Sequence, residues 1–260
     1  MNLLTERVAI ITGASKGIGR VMCQLFAREG ARVACVARTA ALVEETADLV
    51  RQAGGDAIAI VADVSRQADV EGVVDETVHA FGTITSLVNN AGDSGPTKPI
   101  QDYTSDEWFY TINSSLTSAY LCTRFAVPFM IEARGAAIVN ISSMAGKRGL
   151  PYRAGYCSAK AGLFGLTSGM ALELGPHDIT VNAIAPGAVS GDRIERVVSA
   201  QARQRGVPVD AMRQAFVDRA PLRRMSSPED VASLAAFLCS DLARNISGQC
   251  IAVTAGEPAS

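Results

Sequence analysis

The 260-residue chain lacks any long apolar run. Its longest stretch without a charged residue, Trp108 to Thr123, is interrupted by Thr, Asn and Ser and falls short of a membrane span of about 20 apolar residues. The start, Met-Asn-Leu-Leu-Thr-Glu-Arg, carries no basic segment followed by a greasy one, so a cytoplasmic protein is expected. None of the six cysteines (Cys23, Cys35, Cys122, Cys157, Cys239, Cys250) forms a C-x-x-C pair, and most sit in apolar patterns, where a thiol behaves as a small hydrophobe. His79 and His177 are the only histidines and neither has ligand spacing, so no metal site is expected. Aromatics are scarce at 5%, prolines number ten, and no segment is of low complexity. A formal net charge of −2 offers no broad basic field for nucleic acid. There is no internal repeat and no Pro/Ser/Gly linker, which makes a single domain over residues 1–260 the expectation.

What is present is a composition 48% apolar and 19% charged, enough for a sizeable core in a soluble protein. Short β-branched runs alternate with helix-length amphipathic segments: Arg7–Thr12, Arg32–Val36, Ala57–Val61, Ser86–Asn89, Ala136–Ile141, Thr180–Ala183 and Gln249–Val253. That rhythm predicts an α/β fold, a doubly wound parallel sheet of about seven strands with helices on both faces. Gly30 and Gly54-Gly55 stop the first two helices just before new strands. Residues 191–224 are too long for an ordinary connection of about 2–6 residues and are expected to form a lid or substrate loop.

The first strand runs into Gly13-Ala14-Ser15-Lys16-Gly17-Ile18-Gly19, which opens a helix. Glycines at 13, 17 and 19 let the backbone turn sharply and approach a pyrophosphate, which then meets the unpaired N–H groups of the helix N-terminus. With Asn89-Asn90-Ala91-Gly92 after the fourth strand, Ser143 after the fifth and Tyr156-x-x-x-Lys160 in a later helix, the chain resembles the short-chain dehydrogenase/reductase family, in particular its 3-oxoacyl-ACP reductases. The resemblance covers essentially the whole chain. It implies a Rossmann-type fold, a nicotinamide cofactor, reversible carbonyl–alcohol conversion and a homotetramer or homodimer.

Hydride arriving at a carbonyl carbon leaves an alkoxide, which needs a proton donor and a partner for its charge. Tyr156 is the candidate donor, and Lys160, one helical turn on, favours its charged form. By resemblance, Ser143 bonds the substrate oxygen, and Tyr156 and Lys160 also touch the cofactor. The family usually carries an asparagine where this chain has Ser115; Asn113 lies about 200° away on an α-helix and cannot simply replace it. Ser115 with a water is therefore expected to sustain the proton relay.

At the end of the second strand, relatives that prefer NAD tend to carry an acid, and this chain has Ala37-Arg38. Arg38 can fork to a 2′-phosphate and Lys16 can add charge, so NADP(H) is expected, with NAD(H) the alternative. The resemblance further assigns Asp63 and Val64 to the adenine, Asn89, Ala91 and Gly92 to the ribose, and Pro186, Gly187 and Val189 to the carboxamide. Gly191 stands where a threonine is common. Residues 191–224 hold eight arginines against four acids, and Lys147, Arg148 and Arg153 add to the excess. An anionic or acyl-thioester substrate suits such a mouth. Two other functions remain open on the sequence: an NAD-dependent dehydrogenase of a diol or hydroxy acid, and a nucleotide-sensing or scaffold protein with weak catalysis.

Overall fold

A computed structural model describes residues 2–258; Met1, Ala259 and Ser260, at the ends of the expected domain, lie outside the described residues. Seven strands form one parallel sheet: β1 Val8–Thr12, β2 Arg32–Ala37, β3 Asp56–Val61, β4 Ser86–Asn89, β5 Ala136–Ile141, β6 Ile179–Pro186 and β7 Cys250–Val253, in the order β3-β2-β1-β4-β5-β6-β7. The predicted strands are all present. The main difference is β6, which runs to Pro186 because Ala183–Pro186 pair with Cys250–Val253.

Among the described residues the helices are α1 Gly17–Arg28, α2 Ala40–Gln52, α3 Gln67–Phe81, α4 Ser105–Ile112, α5 Ser118–Ala133, α6 Ala145–Arg148, α7 Ala154–Leu174, α8 Asp192–Arg205, α9 Val209–Asp218 and α10 Pro228–Leu238. Strand residues alternate between two cores, as the two-residue pleat requires. Ala9, Ile11, Val33 and Cys35 pack with α1, α2 and α10, whereas Ile10, Ala34, Val36 and Leu87 pack with α3, α5 and α7. Burying both faces explains why the strands read as nearly continuous apolar runs. Gly30 and Gly54 have φ of +98° and +84°, so each helix stop uses a backbone conformation that a side chain would disfavour.

The expected loop at 191–224 is a helical lobe instead. Here α8 and α9 pack Val198, Ala202 and Met212 into a small core of their own, with Ile194 and Phe216 against it. A second difference lies between α4 and α5, where Asn113–Thr117 form a π-helical turn. The wider turn replaces the α-helical geometry on which the angle between Asn113 and Ser115 was reckoned. It leaves Asn113 exposed, with its Oδ1 accepting from Thr117 Oγ1 at 3.0 Å, and buries Ser115 at 1% exposure. No helix among the described residues is long and apolar enough to cross a membrane.

Candidate active site

The strand order reverses between β1 and β4, and in open parallel sheets ligands bind at the carboxyl ends of the strands on either side of such a reversal. The glycine turn follows β1 and Asn89–Gly92 follow β4, so both motifs meet at this point. Asn90 joins them: its Nδ2 donates to Thr12 O at 2.8 Å, while Thr12 Oγ1 accepts from the N–H groups of Asn90 and Ala91, both at 3.0 Å. A Cβ on Gly13 would come within 2.8 Å of Asn90 Nδ2, and one on Gly19 within 2.2 Å of Gly13 O, so these two glycines are required by contact. Gly17, with φ of +55°, faces open space.

Helix α1 begins at Gly17 with no side chain capping it and no acid in its first turn. Its unpaired N–H groups and positive dipole end therefore suit a pyrophosphate, and the residues present fit a dinucleotide. Arg20 steadies the turn by donating to Ser15 O at 2.8 Å and pairing with Glu45 at 2.7 Å. Lys16 and Arg38 are both exposed at this rim. Arg38 Nη1 donates to Tyr110 Oη at 3.3 Å, and Tyr110 in turn donates to Asp93 Oδ2 at 3.3 Å. Asp63 is half-buried, with Oδ1 accepting from the backbone and hydroxyl of Ser65, and Val64 is buried beside it.

Asn89 stands apart from the other motif residues. Its side chain is buried in a network, Nδ2 donating to Asn140 Oδ1 at 2.9 Å and to Thr123 Oγ1 at 3.3 Å, with Asn140 donating on to Thr167 at 2.9 Å. The side chain braces β4 against β5 and α7.

Tyr156 and Lys160 lie on α7, and Ser143 follows β5. A Cβ on Gly146 would sit 2.6 Å from the Ala161 nitrogen and the Lys160 carbonyl carbon, so α6 and α7 touch backbone to backbone beside the lysine. Lys160 is 4% exposed, and its Nζ donates to Ile141 O at 2.7 Å. Burial, reinforced by the nearby Arg193 charge, brings its pKa down to about 7. Ser143 Oγ accepts from the Ala145 N–H at 3.1 Å, which leaves its own proton free to donate. Ser115 Oγ donates to Asp93 O at 3.3 Å; a Cβ on Gly92 would be 3.0 Å from Ser115 Oγ and 3.3 Å from Lys160 Nζ. Ser115 and Lys160 thus flank one point beside Gly92.

Beyond β6, Met144 N–H donates to Pro186 O and Gly187 N–H to Val253 O, both at 2.9 Å. Ser226 bonds Ala188 and Ser190, which leaves the peptide groups of Val189 outside that pairing. The loops after β5, β6 and β7 are therefore tied together around the cleft. Glu257, from the unusual carboxy-terminal sequence, folds back here: it pairs with Arg148 at 2.6 Å and is 9% exposed.

Comparison with known proteins identifies the family. Residues 13–257 match a family model described as enoyl-(acyl carrier protein) reductase. The chain belongs to the short-chain dehydrogenase/reductase family. It is 35% identical over 95% of its length to 3-oxoacyl-[acyl-carrier-protein] reductase FabG of Staphylococcus aureus (strain N315), covering 96% of that protein. It is 34% identical to the uncharacterized oxidoreductase YxbG of Bacillus subtilis (strain 168), covering 98% of this chain and 92% of the relative. An NAD+-bound xylitol dehydrogenase superposes with TM-score 0.92 at 32% identity, covering 97% of this chain and 99% of that one. Levodione reductase superposes with TM-score 0.91 at 30% identity, covering 97% and 98%. This short-chain dehydrogenase/reductase is accordingly an oxidoreductase of CH–OH and C=O groups that uses a nicotinamide cofactor.

Several contacts of the enzyme's cleft were not legible in the sequence. Asp93 and Tyr110 reach Arg38 from a loop and a helix distant in sequence, and Glu257 claims Arg148. Around Tyr156, the guanidinium carbons of Arg153 and Arg193 stand 5.0 and 5.6 Å from the ring centroid, and Lys160 Nζ stands 5.9 Å away.

Proposed function

We propose that this enzyme moves hydride between NADP(H) and a ketone or secondary alcohol, with Tyr156 as acid/base, Ser143 as partner of the substrate oxygen, Lys160 as the charge that supports Tyr156, and Ser115 as a member of the proton relay. The observation that carries this reading is the buried Lys160, anchored to the end of β5 and one turn from Tyr156 on α7. The bound nicotinamide supplies or accepts the hydride. As the carbonyl oxygen gains negative charge, Ser143 Oγ donates a hydrogen bond to it and Tyr156 Oη gives it a proton. Lys160, one helical turn on, supports the charge left on that oxygen. Ser115, beside Lys160 at Gly92, lies where a water linking the lysine to solvent would be held.

The pyrophosphate is assigned to Gly13, Ser15, Lys16, Gly17, Ile18 and Gly19, and the adenosine half to Arg38, Asp63 and Val64. The nicotinamide half falls to Asn89, Ala91, Gly92, Pro186, Gly187 and Val189, the side-chain amide of Asn89 also bracing that wall. NADP(H) is favoured because Ala37 puts no acid at the strand end and Arg38 is exposed beside it. The NAD+-bound relative favours a second reading, oxidation of an alcohol with NAD. Titrating NADPH and NADH by fluorescence, then assaying a ketone panel with the tighter one, tests both. Tighter NADPH with turnover supports the first assignment, and tighter NADH overturns it.

A further inference from the structure

We propose that Arg153 and Arg193 together form an anion site over Tyr156 that receives the carboxylate or sulfonate of a short keto or hydroxy acid, a substrate class that rests on the carbonyl–alcohol chemistry proposed above. Two elements far apart in sequence supply the pair. Arg153 precedes the first turn of α7, and Arg193 lies in the first turn of α8 in the helical lobe. Both guanidiniums lie over the ring of the tyrosine assigned to proton transfer, at 5.0 and 5.6 Å.

Three other arginines of this region are neutralised by carboxylates. Arg148 pairs with Glu257 at 2.6 Å, Arg213 with Glu195 at 2.7 Å and Asp210 at 2.5 Å, and Arg223 with Asp218 at 3.0 Å. Among the described residues neither Arg153 nor Arg193 has such a partner. Arg153 is half-buried; it donates to Ser94 O at 3.0 Å and Thr97 Oγ1 at 3.3 Å, while its Nε is buried with no acceptor. Burial and, to a smaller degree, repulsion from Arg193 hold its pKa below the usual arginine range, as expected of a cation without a counter-charge.

A carboxylate offers two oxygens and a sulfonate three, which meet the forked guanidinium donors and relieve the repulsion between them. The cofactor's phosphates have their own cradle, the uncapped α1 N-terminus, with Lys16 and Arg38 as its exposed cations. Because the pair lies over the tyrosine ring itself, the acid group must sit within a few bonds of the reacting carbon. A long acyl thioester, whose phosphates are remote from its carbonyl, does not meet that condition.

The experiment compares kcat/KM with NADPH for matched keto acids and their methyl esters, acetoacetate against methyl acetoacetate and levulinate against methyl levulinate, alongside neutral cyclic ketones. Wild type is expected to favour the acid of at least one pair. Arg193→Gln is expected to lower the acid-to-ester ratio about 10- to 100-fold, mainly through KM, which is the range for a lost charge-assisted hydrogen bond. Arg153→Gln is expected to do the same, and Arg153→Lys to retain part of the ratio. NADPH titration of each variant reports whether it is folded; Arg193 is exposed, so its variant decides the matter if loss of the Arg153 contacts disturbs the loop. An equal fall for acid and ester, or turnover of neutral ketones with no preference for either acid, overturns the anion site and leaves the carbonyl chemistry standing. No turnover of any ketone, charged or neutral, overturns both.

Discussion

Asn90 donates its side-chain amide to the carbonyl of Thr12 at 2.8 Å and so locks the end of β4 onto the turn that follows β1. The same nitrogen fills the notch that Gly13 and Gly19 leave open, at 2.8 and 2.7 Å from where their Cβ atoms would be. Asn90→Ala is expected to loosen the turn and weaken NADPH binding, and Gly19→Ala to do so more severely, because its added methyl meets backbone 2.2 Å away. Fluorescence titration beside thermal unfolding checks this. Unchanged affinity in a folded Gly19→Ala protein would refute it.

Tyr156→Phe removes a proton donor while leaving the ring and its neighbouring cations in place. A fall in kcat of about 10²- to 10⁴-fold is expected, with NADPH affinity within a few-fold of wild type. Single-turnover rates, which separate the chemical step from cofactor binding, are the measurement.

Lys160 gives a pH signature in stability. Its pKa in the folded protein is about 7 against an ordinary 10.5, so between those values the unfolded chain binds the proton that the native one does not. The sign of the linkage makes its contribution to stability rise with pH across that window, the full penalty for burying the charge applying below pH 7. Replacing it by an apolar side chain, Lys160→Met, is therefore expected to raise Tm relative to wild type more at pH 6 than at pH 9. Equal shifts at both values would show that the lysine is not held this way.

At the rim, Arg38 is shared with Tyr110. Arg38→Ala is expected to raise the Kd for NADPH by about tenfold or more, as loss of a charge-assisted pair would, with little change for NADH. Tyr110→Phe, which frees the guanidinium, is expected to tighten NADPH binding modestly.

The Arg148–Glu257 pair is a structural tie between α6 and the carboxy-terminal segment. Their single alanine variants are expected to destabilise to a similar extent and the double variant to be less than additive, with a coupling of about 1 kcal/mol for a partly exposed pair. Chemical denaturation of the four proteins measures it. An arginine reserved for substrate would show no coupling.

Much of this enzyme was determined by the sequence alone. Alternating runs of five or six apolar residues and amphipathic helices, stopped by Gly30 and Gly54, specify a parallel sheet because each element must bury its apolar face and each turn needs its own backbone geometry. The turn of Gly13, Gly17 and Gly19 could be read for the same reason, its requirements being local, and so could the one-turn spacing of Tyr156 and Lys160, whereas the role expected of Ser143 came from the family resemblance. The tertiary structure decided what depends on distant segments meeting. It wound most of residues 191–224 into two helices over a small core, wound Asn113–Thr117 into a π turn that buries Ser115, and tied the Asn89 side chain into the Asn140 network. It also sorted the arginines, giving Arg148 to Glu257 and leaving Arg153 and Arg193 over Tyr156. A count of charges along the chain cannot make that division, because a guanidinium's partner is set by three-dimensional proximity and burial.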